Sequence, residues 1–125
     1  MTNLPYLPHQ KGKNAERLAC EFLQQKGLKL DAVNYSCRAG ELDLIMQDAN
    51  HLVFVEVRYR QTKTFGSSAD SIDSYKRKKL LKTAKFYLQQ HDLTEKVPSR
   101  FDVITIDANN KINWIQNAFQ DEYNF

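Results

Sequence analysis

Gly40-Glu41-Leu42-Asp43-Leu44-Ile45-Met46 and, after a short polar break, Leu52-Val53-Phe54-Val55-Glu56-Val57-Arg58 are the stretches whose reading decides the fold. Both alternate apolar and polar residues with the period of a half-buried strand, and in both the polar interruptions are charged. The pattern predicts two strong strands, Glu41–Gln47 and His51–Tyr59, joined around Asp48-Ala49-Asn50. A carboxylate placed mid-strand loses hydration and needs a partner or a metal ion to offset that cost. An acid on one strand, then Glu-x-basic on the next, is the arrangement a metal-dependent phosphodiesterase site requires.

Register decides whether those acids meet. Side chains alternate across a strand, so Glu41 and Asp43 share one side, as do Glu56 and Arg58. The opposite sides, Leu42/Leu44/Met46 and Val53/Val55/Val57, are apolar and are expected to pack on a helix. An even-numbered turn centred on Ala49-Asn50 sets Asp43 opposite Glu56, with Cβ atoms roughly 4.5–5.5 Å apart. An odd-numbered turn pairs Asp43 with Val55 and throws the carboxylates onto opposite faces. The shared apolar patterning favours the even turn. Two adjacent carboxylates repel unless a cation or a proton lies between them. A hard divalent ion, Mg²⁺ or Mn²⁺, held by Asp43 and Glu56 with water and a substrate phosphate, fits the pair. The alternative is a cross-strand ladder in which Arg58 or Arg60 neutralises Glu56 or Glu41.

Outward from this pair, residues 11–27 read as a helix, with Ala15, Leu18, Ala19, Phe22 and Leu23 on one stripe and Gly27 as the stop. Glu16 falls at the border of that stripe and is expected to reach over the sheet edge toward Asp43. Its other role is a surface pairing with Lys13 or Arg17. Leu28 to Tyr35 is a weak strand, Gln61–Ala69 a flexible loop, and about 70–90 a long helix carrying Ile72, Leu80, Leu81, Ala84, Tyr87 and Leu88. Phe101–Asp107 and Lys111–Ile115 close the chain as two strands around Asn109-Asn110. The order αβββαββ describes an α/β fold, a small mixed sheet flanked by helices.

At 125 residues and 42% apolar, the chain fits one domain with a real core, over 11–119, with a flexible leader at 1–10 and a tail at 120–125. No stretch has the apolar length of a membrane span and the start has no hydrophobic signal region, so no membrane partner is expected. Cys20 and Cys37 form neither a metal-type pair nor a disulfide framework, which makes a reduced, cytoplasmic protein the default. The three histidines have no metal-ligand spacing, and Gly-rich phosphate loops are absent. Net charge is +3, yet Arg58 to Lys85 holds nine basic residues against Asp70 and Asp73. That window carries +7 and the remainder −4. Such a concentration beside the acidic motif points to a polyanionic partner, against the plainer reading of a solvated lysine-rich helix face. Lys78, Lys82 and Lys85 recur on one side of the second helix, and Arg60 and Lys63 follow the acidic strand, placed to grip a phosphate backbone. Tyr59, Phe65 and Tyr75 are candidates for stacking on bases or for the core. Asp102 reads as a structural partner of Arg100 or a lysine.

Gly12-Lys13-Asn14-Ala15-Glu16, Gly40-Glu41-Leu42-Asp43-Leu44-Ile45, Val53-Phe54-Val55-Glu56-Val57-Arg58-Tyr59-Arg60 and Arg100-Phe101-Asp102-Val103 together resemble the YraN family of small bacterial proteins. The resemblance runs from about Lys11 to Phe119. That family in turn resembles archaeal Holliday-junction resolvases and other PD-(D/E)XK nucleases. The resemblance implies a restriction-endonuclease-like αβββαβ core, Mg²⁺ dependence, a nucleic-acid substrate, with the DNA of branched structures as the expected form, and a homodimer. It matches Glu16 to the first-helix acid, Asp43 to the motif aspartate and Glu56 to the glutamate of Glu-x-Lys. Arg58 departs from it, standing where the superfamily has lysine. Arginine stays protonated and cannot act as a general base, though it can hold a phosphate and offset developing charge. Either the metal alone activates water, or a nearby lysine such as Lys76 substitutes, or catalysis has lapsed and a nucleic-acid-binding module remains.

Overall fold

The periodicities of the sequence become two helices and five strands. A computed structural model describes residues 11–60 and 72–120, the side chains of 11–13 excepted; Lys63 and Phe65 lie outside it. Helix α1 covers Lys11–Gln25 and strands β1 to β3 cover Lys29–Cys37, Gly40–Asp48 and His51–Arg60. Helix α2 covers Ser74–Gln90, and β4 and β5 cover Ser99–Asp107 and Ile112–Phe119. The sheet order is β1-β2-β3-β4-β5. Every neighbouring pair is antiparallel except β3 and β4, which run parallel. A parallel pair needs a long crossover, and α2 lies on the one between β3 and β4. Among the described residues, no helix is long and apolar enough to cross a membrane.

Both faces of the sheet are covered. Ala15, Ala19, Cys20 and Leu23 of α1 are buried with Leu44, Met46, Val53, Val55, Ile104 and Ile106. On the other face Leu80, Ala84, Tyr87 and Leu88 of α2 pack with Ile45, Phe54, Phe101 and Val103. The expectation that β2 and β3 bury only their Leu/Met and Val sides is therefore incomplete. Ile45 and Phe54, in line with the two acids, are as deeply buried as the valines. The acid-bearing side is apolar toward one end and charged toward the other, and α2 spans both.

Element ends differ from the sequence expectation for local reasons. Helix α1 stops two residues early, where Gly27 takes φ +99° and the Leu28 N–H donates to the Leu23 carbonyl at 3.0 Å. Helix α2 begins at Ser74 rather than near 70, because the Asp73 side chain accepts from the Lys76 N–H at 2.8 Å and sets the start there. Strand β5 extends to Phe119 because the register shift opposite Asp102 absorbs extra residues that would otherwise end the pairing. At the opposite edge of the sheet, tyrosine hydroxyls tie β1 to α2. Tyr87 donates to Asp31 and Tyr35 donates to Gln90 at 2.7 Å.

Gly40 lets β2 start against α2. Its φ is +153°, and a Cβ placed there would lie 3.0 Å from the Thr83 Oγ1. That hydroxyl is already committed to the Lys79 carbonyl at 2.7 Å and is fully buried. Gly40→Ala is expected to lower stability by about 2–3 kcal/mol, from backbone strain plus a contact that has no room to relax. Urea denaturation checks it. A variant with an unchanged midpoint would show that the hairpin shifts at no cost.

Candidate metal centre and its basic surround

The hairpin between β2 and β3 closes with the even turn. Asp48 pairs with His51 across Ala49-Asn50, Ala49 takes φ +56°, and the ladder continues to Leu44 opposite Val55. One step further along the same register, Asp43 faces Glu56. Recorded pairing between the strands ends at that point. The Val57 N–H donates instead to the Asp43 Oδ2 at 2.8 Å, so a side chain replaces the missing ladder partner. The strands part at the acids, and the two carboxyl groups approach closely enough to share a hydrogen bond.

Their electrostatics follow from that closeness. Burial raises the Asp43 carboxyl above its ordinary range, against the lowering effects of the Val57 N–H, Glu56 and Lys76. Burial also pushes Glu56 up to about 7, helped by the Asp43 charge and opposed by Lys76 and Arg58. Two carboxylates in one notch cannot both ionise cheaply, and each holds the other's proton on to higher pH. Two cations stand beside Glu56: Lys76 Nζ at 3.6 Å and Arg58 Nε at 3.8 Å from its Oε2. Lys76 comes from the first turn of α2, so the long-range fold, not the strand pattern, brings it to the pair.

The other expected residues fall in different places. Glu16 is half-buried on α1, the helix packed on the opposite face of the sheet. Among the described residues, the charges acting on Asp43 and Glu56 are those of Glu41, Lys76, Arg58 and each other. Among the described residues no group of three or more His, Cys, Asp or Glu is gathered. Arg60 sits at the end of β3, paired in register with Asp107. Lys78, Lys82 and Lys85 are exposed, and at 100° per residue they lie about half a turn away from Lys76. That stripe is the outer surface of α2, not the wall of the acid notch. The lysine that does join Lys76 is Lys79, which with Glu41 lines a cavity beside the pair. Its i, i+3 spacing from Lys76 was the available signal. Asp102 is fully buried and takes hydrogen bonds from Arg100, Trp114 and Asn117, the structural role expected for it.

The donor set suits a hard divalent ion. Two adjacent carboxylates supply oxygen ligands, and Mg²⁺ takes one or two carboxylates while keeping water and substrate phosphate for its other positions.

Five strands in sequential order and mixed direction, a parallel β3–β4 pair bridged by α2 and helices on both faces make this an α/β fold of the restriction-endonuclease-like kind. The chain belongs to the YraN family: the model of the uncharacterised protein family UPF0102 matches residues 15–106, from α1 through β4 and including both acids. A UPF0102 protein of Pseudomonas fluorescens is 50% identical over 111 residues, covering 88% of this chain and 92% of its own. One of Legionella pneumophila is 46% identical over 114 residues, covering 90% and 97%. One of Coxiella burnetii is 44% identical over 117 residues, covering 94% and 98%.

Proposed function

We propose that this protein binds nucleic acid and hydrolyses phosphodiester bonds in structured DNA, as an endonuclease of the Holliday-junction-resolvase type dependent on Mg²⁺ or Mn²⁺. The observation that carries the reading is the Asp43–Glu56 pair, two largely desolvated carboxyls on parting strands with cations on one side. Asp43 and Glu56 would hold the ion, which supplies Lewis acidity toward the phosphoryl oxygen and a nucleophilic hydroxide at neutral pH. Arg58 and Lys76 stand beside Glu56, where positive charge offsets the negative charge that builds on a phosphate during displacement. Arg58 does this as a fixed cation and accepts no proton. Glu16, on the far side of the sheet, enters this reading only as an outer contributor. Cys20 is buried in α1 and Cys37 ends β1, and the reading places the protein in the cytoplasm. Cutting both strands of a junction takes two sites, so it also includes a homodimer, checked by sedimentation.

One observation favours a second reading, a binding module without turnover. Lys76 and Arg58 already stand within 4 Å of Glu56 and offset part of its charge without an ion. The test is incubation with junction, flap, single-stranded and blunt duplex substrates, with Mg²⁺, with Mn²⁺ and with chelator. Metal-dependent cutting that disappears in Asp43→Ala assigns the endonuclease. Salt-sensitive binding without cutting assigns the module, and no binding overturns both.

A further inference from the structure

The cavity next to the acid pair has a volume of about 440 Å³ and is lined by Ser36, Gly40, Glu41, Lys76 and Lys79 among others. That is within the range of roughly 300–1,000 Å³ typical of small-ligand sites. Lys76 belongs both to its wall and to the acid pair, at 3.6 Å from Glu56 Oε2, so the two sites share a side chain. Two lysines against Glu41 leave the wall net positive, suited to one phosphate. The attraction rests on those side chains, because the Lys76 N–H in the first turn of α2 already serves Asp73.

Tyr75 extends the same surface. It is 72% exposed, and the Lys79 Nζ lies 5.7 Å from the centre of its ring. An isolated exposed aromatic is ordinary in itself. What distinguishes Tyr75 is position: it precedes Lys76 in sequence and is linked through Lys79 to the cavity wall. Other aromatic rings are engaged internally, Phe22 with Trp114, Tyr35 with Tyr87, and Phe101 with Phe54 and Phe119. Lys79 stands over one face of the Tyr75 ring, and at 72% exposure the ring still offers surface to a planar group arriving from solvent. A base offers such a face only when it is unpaired or unstacked.

We propose that this cavity and Tyr75 form a subsite for one unpaired nucleotide next to the acid pair, with the phosphate on Lys76 and Lys79 and the base stacked on Tyr75. The inference rests on the nucleic-acid reading above and adds the substrate class: strands with an exposed nucleotide, such as flaps, open junctions or single strands, over blunt duplex. The test is fluorescence anisotropy in chelator, so that cutting plays no part. The probes are labelled oligothymidylate, labelled oligouridylate and a blunt duplex of equal length, with wild type, Tyr75→Ala, Tyr75→Phe and Lys79→Gln. Tyr75→Ala is expected to weaken single-strand binding by about five- to 150-fold, the range for loss of one stacked base, and to leave duplex binding within about twofold. Tyr75→Phe restores the affinity, because the ring face and not the hydroxyl carries it. Lys79→Gln weakens the single strand and flattens its salt dependence. If Tyr75→Ala changes neither substrate, or both equally, the subsite is overturned while the nucleic-acid reading stands. If wild type binds none of the three, both fall.

Discussion

If the acid pair holds an ion as proposed, Glu56→Gln is expected to reduce metal-dependent cutting by at least about 10³-fold, because several kcal/mol of transition-state charge stabilisation goes with the ion, while making the metal-free protein more stable above neutral pH. The two effects have one cause. Glu56 is buried beside Asp43, and its carboxyl is held up to about 7 by that burial and by the neighbouring charge. Its ordinary value is 4.5. Below pH 4.5 the folded and unfolded chains both keep the proton, and the fold has its full stability. As pH rises the unfolded chain releases the proton first, so the fold is progressively disfavoured until Glu56 ionises near 7. The loss for metal-free wild type is on the order of 3 kcal/mol across that window. Glutamine does not titrate, and its amide N–H can donate to Asp43 as the protonated carboxyl does. The variant therefore keeps its stability where wild type loses it. Urea denaturation at pH 5 and pH 8 reads the stability, and calorimetric titration with Mn²⁺ reads the ion. Wild type should bind Mn²⁺ more tightly as pH rises through the same window, and the glutamine variant should bind poorly throughout. Cutting at wild-type rate by Glu56→Gln would remove Glu56 from the proposed metal set. A variant that lost stability with pH as wild type does would place the titration elsewhere.

The acid pair was legible in the sequence because strand alternation and a two-residue turn are short-range facts. Once Ala49-Asn50 forms the turn, the register of Asp43 and Glu56 is arithmetic. The surround was not legible in the same way. Lys76 reaches Glu56 only because α2 crosses from β3 to β4 on the acid-bearing face, and no local pattern states which face a crossover helix takes. The lysine stripe Lys78, Lys82 and Lys85 is an accurate reading of the helix period, but its side of the helix turns away from the pair. Lys76 and Lys79, at the border of the buried face, are the ones beside it. Glu16 illustrates the same limit. Its place at the edge of an apolar stripe is a local fact, whereas how far it reaches over the sheet edge toward Asp43 depends on how α1 packs. The start of α2 differs from the sequence expectation because the Asp73 side chain caps it there, whereas α1 starts at residue 11 as expected.

Asp102→Ala is expected to cost about 3–5 kcal/mol, the range for removing one partner of a buried charged pair. Asp102 is fully buried on the α1 side of β4 and receives hydrogen bonds from three directions. The Arg100 Nε donates at 3.0 Å, the Trp114 Nε1 at 2.9 Å and the Asn117 N–H at 2.9 Å. The last of these donors exists because β5 shifts register opposite Asp102, with Asn117 at φ +52°, so its N–H is received by a carboxylate. Arg100 in turn reaches Asp48 at 2.9 Å, which ties the end of the β2–β3 hairpin to β4. Truncation strands all three donors at once and leaves Arg100 with Asp48 alone. Against a total stability of about 5–15 kcal/mol for a domain, the fold is expected to lose a large share of its margin. The corresponding fall in melting temperature is about 10–25 °C. The chain has one tryptophan, and it is part of the network, so its emission reports the same event. Trp114 packs edge-on against Phe22 at 6.0 Å, and loss of the Asp102 acceptor should redden its fluorescence in the folded variant. Asp102→Asn retains one acceptor oxygen but faces Arg100 without charge, and an intermediate loss is expected. A cycle with Arg100→Ala separates the shared term, because coupled partners are non-additive by about 0.5–3 kcal/mol. If Asp102→Ala melted with wild type, the carboxylate would not be what holds β5 in register, and the pairing of backbone with backbone would have to suffice.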